Sequence, residues 1–436
     1  MKPRPPLPDG PYLVVGLARS GTAAVEMLRS HGEVMGCDSG EPPEAHALEG
    51  VEIELRSDGL DLLERARTVV KSPGVPQGAP VIAAARERGI EVVGELEVAW
   101  RLVPNEVVAI TGTNGKTTTT ELIGAIHRAA GIEVVVAGNV GMPLSTHAGR
   151  LPGDAVIVCE CSSFQLEDCS AFAPECAVLL NVEEDHLDRH GTLAAYGAAK
   201  RSIFLRQGAG DVAVTPPALA PDGPARAVIF DGDGADLAMR AGLLVWRGEV
   251  LIGARELRLR GAHNLENAMA AAAATLARGV EPAAVRETLR SFAGVPHRLE
   301  EVAEHDGVLY VNDSKATNVA SARMGLEAFE GGVHAILGGS LKGGGFAALR
   351  PAVASRCRAA YLIGEAAPAL AADLAGTAPL GACGDLARAL TAASEAARAG
   401  EVVLLSPACA SFDQYRDFEH RGEHFRALVA ALLGHE

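Results

Sequence analysis

Short apolar runs alternate with stretches of helical period along most of the chain. In the first hundred residues, 12–15 (YLVV) is an apolar run ending at Gly16, 33–37 is a second ending at Asp38, 68–70 is a third, and 81–88 has the spacing of a helix. Runs of this length without polar alternation mark strands buried on both faces. The helical stretches between them supply crossovers, so a βαβ arrangement with a parallel sheet is expected. Pro104 and Asn105 read as a linker. From Glu106 the pattern restarts with VVAI, a Thr/Gly-rich loop and a helix to about Ala130, then strands at 134–136, 155–159 and 177–180. Residues 228–259 differ: runs such as LLVWRGEVLIG predict hairpins on the edge of the central sheet, and a helix at 265–278 follows. Gly294, Val295 and Pro296 punctuate a second boundary, beyond which GVLYVND, HAILGGS, AAYLIGE and EVVLLSPA are candidate strands with helices between. Three α/β modules in series are expected, at residues 1–103, 104–298 and 299–436.

Composition narrows the class. A chain of 436 residues exceeds one ordinary core. With 48% hydrophobic and 22% charged residues it is a folded globular chain, and with only 4% aromatics its cores must rest on Ala, Val and Leu. A net charge of −16 argues against broad nucleic-acid binding, which needs Lys and Arg to neutralise phosphates. It leaves room for a phosphorylated small molecule, because a few backbone amides and one Lys can hold phosphate locally. The eight cysteines follow no zinc spacing, and Cys159 and Cys161 fall on a buried strand, so ordinary reduced thiols are expected. Neither the N-terminal MKPRPPLPDG nor any later run has the apolar length of a signal peptide or membrane span. A monomeric cytoplasmic chain without membrane insertion is the expectation.

The sharpest chemical signal is Thr111-Gly112-Thr113-Asn114-Gly115-Lys116-Thr117-Thr118, set between a strand and a helix. Glycines let the amide N–H groups converge on phosphate, Lys116 adds a point charge, and the hydroxyls of Thr117 and Thr118 can reach Mg²⁺ or phosphate at the helix N-terminus. The usual G-x-x-x-x-G-K-[ST] spacing would need glycine where this chain has Ile110, so the loop is a variant; the alternative is a plain Gly/Thr turn. A weaker signal is the turn Gly16-Leu17-Ala18-Arg19-Ser20-Gly21 after the first strand, with Asp38 ending the next. Alone it fits a nucleotide or a nicotinamide dinucleotide. Ser72-Pro73-Gly74-Val75 is another small-residue loop where a diphosphate could lie.

Around the phosphate loop TGTNGKTTTT the chain resembles the Mur ligases, the amide ligases of peptidoglycan synthesis, and more distantly folylpolyglutamate synthase. The resemblance continues in order through GNVG (138–141), ECSSFQLE (160–167), NVEEDHLDRH (181–190), YGAAK (196–200), HNLEN (263–267), PHRLE (296–300), NDSKATN (312–318) and SPACASFDQYRDFEHRG (406–422). SSFQLE, DSKATN and SPACAS are similar to the branch that adds D-glutamate. The implied fold is α/β with three domains: a Rossmann-like N-terminal domain for the UDP-sugar, a P-loop ATPase-like central domain for ATP, and a Rossmann-like C-terminal domain for nucleotide and D-glutamate. The implied activity is ATP-dependent addition of D-glutamate to UDP-N-acetylmuramoyl-L-alanine through an acyl phosphate, releasing ADP and phosphate.

The resemblance also implies roles. Gly112, Thr113, Asn114, Gly115, Lys116, Thr117, Thr118, Asn267, Arg298, Asp313 and Lys315 would meet ATP, with Asn264 and Asn267 able to read adenine or simply to cap their helix. Thr117, Glu160, His186 and Lys200 would hold Mg²⁺ at two sites, and Lys116, Glu160, His186 and Lys200 would carry the chemistry. Without the motif, Glu160 reads as a strand-end carboxylate capping a helix, His186 as a solvated loop residue and Lys200 as a helix-surface lysine. An ammonium beside Mg²⁺ would be repelled, so Lys200 is expected as its N6-carboxylated form, a carbamate. Leu17, Ala18, Ser39, Ser72, Gly74 and Asn139 would contact the UDP-linked substrate, and Thr317, Lys342, Ser411 and Phe418 D-glutamate. Other readings stay open for some: Arg298 and Asp313 could pair across the domain boundary, Lys342 could sit in a surface loop, and Phe418 could be core.

Overall fold

The structure, a computed structural model, describes residues 2–259, 261–341 and 345–434. It divides into two compact units, residues 1–256 with 266–290 and residues 257–265 with 291–436. The first unit opens with a parallel sheet of β1 (Tyr12–Val15), β2 (Val34–Asp38), β3 (Glu52–Leu55), β4 (Thr68–Lys71) and β5 (Glu91–Gly94), in the order β3-β2-β1-β4-β5. β3 (EIEL) and β5 (EVVG) lie outside the sequence expectation. They are the sheet's outer members and only partly buried, so neither presents a full apolar run. Strand order reverses beside β1, which opens a crevice at the carboxyl ends of β1 and β4, where ligands bind in sheets of this kind. The first helix, Arg19–Leu28, packs tightly there: a Cβ on Gly21 would lie 1.7 Å from the Gly16 carbonyl oxygen.

The central sheet comprises β6 (Val107–Thr111), β7 (Val134–Gly138), β8 (Val156–Glu160), β9 (Cys176–Leu179), β10 (Val212–Thr215) and β11 (Arg226–Ile229), all parallel, in the order β11-β10-β9-β6-β8-β7. β6, β8, β9 and β10 are buried at every residue, as their unbroken apolar runs require. The expected hairpins exist but are not on this sheet's edge, which β11 occupies. β12 (Leu237–Arg240), β13 (Leu243–Trp246) and β14 (Glu249–Gly253) form an antiparallel sheet of their own.

The first two sheets share one hydrophobic core, running from Tyr12 and Val14 through Trp100 to Ile157, Leu179 and Ala213. Polar groups fix the join. Lys71 and Asp168, both buried, pair at 2.7 Å; the Gly94 amide donates to the Asp168 carbonyl at 2.8 Å; Glu97 accepts from the Ala171 and Phe172 amides; and Glu95 accepts from the Ser145 amide. The expected linker is therefore no hinge: Asn105 is buried, and its side chain donates to the carbonyls of Pro152 and Ala155. An N-terminal arm closes the same join. Arg4 pairs with Glu175, lies over the Trp100 ring and donates to the Asn105 carbonyl, while Lys2 pairs with Asp211.

The second unit holds β15 (Glu300–His305), β16 (Val308–Asn312), β17 (Val333–Gly338), β18 (Cys357–Ile363), β19 (Leu380–Gly384) and β20 (Val402–Leu405), in the order β15-β16-β20-β17-β18-β19. Only β15 is antiparallel to its neighbour. The last strand is inserted between β16 and β17, which sets the loops after residues 312 and 405 side by side. No helix among the described residues is long and apolar enough to cross a membrane.

Removing one partner of a buried ion pair strands the other charge, whereas replacing both with apolar groups of like size does not. Asp168→Ala should therefore destabilise the first unit by roughly 3–5 kcal/mol, read as a fall in its urea midpoint. Lys71→Met combined with Asp168→Leu should lose much less. A double variant as weak as the single one would show that the stranded charge is not what weakens the single variant.

Candidate active site

The phosphate loop leaves β6 at Thr111 and enters the helix Lys116–Ala129 through Gly115, whose φ of +83° is left-handed. Glycine is required there for space as well: a Cβ would come 2.1 Å from Oδ1 of Asn267, a residue that also meets the Thr119 hydroxyl. The loop is stapled to the segment after β9. The Thr113 amide donates to the Asn181 carbonyl, the Asn114 amide to Asn181 Oδ1, and the Glu183 amide to the Thr113 hydroxyl. Lys116 Nζ donates to the carbonyls of Gly112 and Thr113, at 2.8 Å each. Asn181 and Glu183 shape the loop through their backbone as much as their side chains, which no residue-type signal in the sequence announces.

Glu160 ends β8 and is buried. Its Oε1 accepts from the Asn139 side chain at 2.9 Å, and its Oε2 has no hydrogen-bond partner. The hydroxyl of Thr118 is likewise buried and without a hydrogen-bond partner. Hard oxygen donors beside a phosphate loop fit Mg²⁺, which takes one or two carboxylates and completes its shell with phosphate oxygens and water. No group of three or more His, Cys, Asp or Glu converges for a metal among the described residues.

His186 adopts a left-handed φ of +51° and stays exposed, its ring 3.5 Å from Asp185 and packed against Phe164. Sequence reasoning missed the neighbour that is buried. His190 takes Glu167 at 2.9 Å with Nδ1 and meets the Ser163 hydroxyl at 3.1 Å with Nε2. It stacks on Phe164, whose ring also carries the Arg189 guanidinium at 4.3 Å. Arg189 in turn donates to the Pro73 carbonyl. Phe164 is thus the post on which the Asp185–His190 segment is held, and an aromatic at the second position of a short helix gives no sequence hint of it.

Lys200 lies in the helix Leu193–Arg201 but is only 1% exposed, which removes the helix-surface alternative. Its Nζ donates to the Gly112 carbonyl at 2.7 Å and sits 4.4 Å over the Tyr196 ring. Burial and the nearby charge of Lys116 hold its pKa down at about 6, against the opposing pull of Asp185 and Glu160. That shift favours the uncharged amine.

At the crevice of the first sheet lies a cavity of about 760 Å³ lined by Gly16, Ala18, Ser39, Ser72, Gly74 and Asn139, among others. Asn139 thus faces the cavity and also holds Glu160. Leu17 is placed differently from its fellows: its side chain is in the core and its amide donates to Asp38 Oδ2. The other oxygen of Asp38 accepts from the Gly40 amide, so each carboxylate oxygen holds one backbone amide.

In the second unit Asp313 follows β16 and is buried. It accepts from the Ser406 hydroxyl at 2.7 Å and from the Leu299 amide, and lies within electrostatic reach of Arg298. Lys315 Nζ is 5.8 Å from the ring of Phe418, which is half-buried at the start of the helix Phe418–Leu433 and not core. The organiser is a residue that sequence reasoning passed over. Arg421, 1% exposed, donates to the Ser314 hydroxyl and carbonyl and to the carbonyls of Cys409 and Ala410. It joins the loop bearing Asp313, Lys315 and Thr317 to the loop bearing Ser411. Asn264 belongs to this unit, Asn267 to the first. Lys342 lies outside the described residues.

Three family models match the chain: Mur ligase MurD-like, N-terminal domain, at residues 11–94; Mur ligase middle domain at 110–220; and Mur ligase, glutamate ligase domain, at 297–409. The chain is 41% identical to the UDP-N-acetylmuramoylalanine--D-glutamate ligase of Acidobacterium capsulatum, covering 97% of this chain and 96% of that one. It is 43% identical to the enzyme of the same description from Myxococcus xanthus, covering 96% and 98%. In fold it is similar to the MurC ligase of Thermotoga maritima (TM-score 0.62, 21% identity, 97% and 99% covered). The MurF ligase of the same organism, solved in complex with ADP, is equally similar (TM-score 0.62, 19% identity, 98% and 96% covered).

Burial pushes the Asp313 carboxyl up to about 7 from an ordinary 3.8. Between those values the folded protein keeps a proton that the unfolded chain has lost, so this group's contribution to stability falls as pH rises through that window. Asp313→Asn should flatten the decline. Comparing urea midpoints of the two proteins at pH 4.5 and pH 8 checks this, and equal slopes would mean that the carboxyl is ionised in place.

Proposed function

The chain belongs to the Mur ligase family, among the UDP-N-acetylmuramoylalanine--D-glutamate ligases, and we propose the residues through which it performs their chemistry. The reaction joins D-glutamate to UDP-N-acetylmuramoyl-L-alanine at the expense of ATP in peptidoglycan synthesis. An amine does not displace oxide from a carboxylate. The substrate carboxylate therefore attacks the γ-phosphorus of ATP, ADP departs, the neutral D-glutamate amine adds to the acyl carbon, and phosphate leaves with the C–O bond electrons as the nitrogen gives up one proton to solvent or to the departing phosphate.

In this proposal Gly112 to Thr118 cradle the ATP phosphates on backbone amides and the charge of Lys116, with Asn267 beside the loop. Thr117, Glu160, His186 and Lys200 would hold Mg²⁺ at two positions. The metal supplies neutralisation of phosphate charge as the transition state develops. The observation that carries the assignment is Glu160: a buried carboxylate oxygen without a hydrogen-bond partner at a strand end beside the phosphate loop is costly unless something cationic completes it. Lys200 is assigned as a carbamate. A neutral, buried amine can add to CO₂, forming the N–C bond and releasing a proton, and the product keeps one N–H for the Gly112 carbonyl. The cavity with Ala18, Ser39, Ser72, Gly74 and Asn139 receives the UDP-linked substrate, with Leu17 contributing its place in the turn. Arg298, Asp313 and Lys315 are assigned to nucleotide, and Thr317, Lys342, Ser411 and Phe418 to D-glutamate. Residues 1–103, 104–298 and 299–436 are the three working domains, and ATP with a UDP-linked precursor puts the enzyme in the cytoplasm.

Phosphate release from ATP should require both UDP-N-acetylmuramoyl-L-alanine and D-glutamate, when tested against L-alanine, L-glutamate and diaminopimelate as replacements. Turnover with L-glutamate but not D-glutamate would refute the substrate assignment. Lys200→Ala should lose most activity and regain part of it in acetate, whose carboxylate can enter the vacated space. The wild type should slow when stripped of CO₂ and recover with bicarbonate. Full activity of Lys200→Ala would eliminate the carbamate and leave the ligase assignment standing.

A further inference from the structure

Arg56 has a left-handed backbone with φ of +54°, a conformation that costs a non-glycine residue free energy and is retained where a side chain is needed in a set place. Its own amide donates to the Gly40 carbonyl, and the next amide, of Ser57, donates to the Asp38 carbonyl. These bonds anchor it just past the ends of β2 and β3. Arg56 borders the 760 Å³ cavity together with Asp38, Ser39, Ser57 and Asp58, and its side chain is 78% exposed at the rim. The Gly16–Ser20 turn and the Ser72–Gly74 loop, small-residue turns suited to phosphate, lie after β1 and β4 and border the same cavity. A nucleotide whose diphosphate lies at those turns can extend its base toward the ends of β2 and β3. Two cationic residues border the cavity: Arg19, which donates to the Gly141 carbonyl at 2.5 Å, in the turn, and Arg56, past β3. Arg56 pairs with Glu41, on the exposed loop beyond β2, through one nitrogen of a group with five N–H donors.

We propose that Arg56 is the residue that specifies the base of the nucleotide, donating to the O4 carbonyl edge of uracil. The proposal rests on the reading of this cavity as the UDP site. Cytosine carries an amino group where uracil carries O4, so a guanidinium placed there would meet a donor instead of an acceptor. Glu41 is a positioning residue that holds the guanidinium at the cavity rim.

The test is calorimetric binding of UDP, CDP and ribose 5-diphosphate to the full-length protein and to Arg56→Gly. Glycine is the informative replacement because it removes the side chain and relieves the backbone at once. The wild type should prefer UDP to CDP by about tenfold or more, as expected for a site built to pair with a polar group. In Arg56→Gly, UDP binding should weaken by about tenfold, the preference over CDP should collapse, ribose 5-diphosphate should bind as before, and Tm should hold or rise. Unchanged UDP affinity and preference would overturn the role of Arg56 and leave the cavity assignment intact. An equal loss for ribose 5-diphosphate would overturn it in favour of a phosphate contact. A wild type that binds no UDP would overturn the cavity assignment and the proposal with it.

Discussion

One backbone carbonyl carries two lysines. The Gly112 oxygen accepts from Lys116, which leads the helix after the phosphate loop, and from Lys200, which comes from a helix more than eighty residues later. Two ammonium groups on one oxygen in a buried setting repel each other. That repulsion, added to desolvation, makes one of them the weaker base, and the more deeply buried Lys200 yields. The arrangement also locks the loop's path: Gly115 has no room for a side chain against Asn267, and the amides of Thr113 and Asn114 are tied to Asn181. These bonds hold the loop's amides in one arrangement in this structure, and fixed dipoles are the kind that stabilise developing charge most effectively.

The centres of the three large sheets were legible in the sequence because β1, β4, β6 and β8 are buried on both faces and read as plain apolar runs. The edge strands β3 and β5 were not, since they meet solvent and carry glutamates, whereas the edge strand β7 was; the buried β10 was passed over. The hairpins of residues 237–253 were visible as hairpins, but nothing in LLVWRGEVLIG says which sheet they join. The site was legible where a motif compels a backbone shape, as at Gly115, and where a carboxylate ends a strand, as at Glu160. It was illegible where burial decides the role. AAKRS looks like a helix surface, yet Lys200 is enclosed. HRG looks like the middle of a helix, yet Arg421 gathers four oxygens from two loops. His190 and Phe164 were passed over for the same reason, because their value lies in what packs on them.

Buried charge in the two units is handled by different means. The first unit neutralises Lys71 with a carboxylate and satisfies Glu97 with backbone amides. In the second, Arg421 is surrounded by carbonyls and a hydroxyl, and burial lowers its pKa to about 10, which leaves it cationic. Asp313 nearby is protonated more readily than an exposed carboxylate because burial outweighs the opposing pull of Ser406, Arg298 and Arg421. Networks of this sort have few alternative pairings, so they select one loop conformation over others of similar packing.

The buried wall of the cavity at the first sheet bears on how this protein would meet small molecules. Val15, Cys37 and Val81 line it and belong to one buried apolar cluster with Leu13, Met35 and Val69. A compound resting on that wall has little protein to immobilise there, so little of its contact free energy is lost to ordering. Affinity for such compounds should then follow shape and polar match closely, and rigid docking to this cavity is a sounder starting point for inhibitor design than it is for enzymes whose pockets assemble around the ligand.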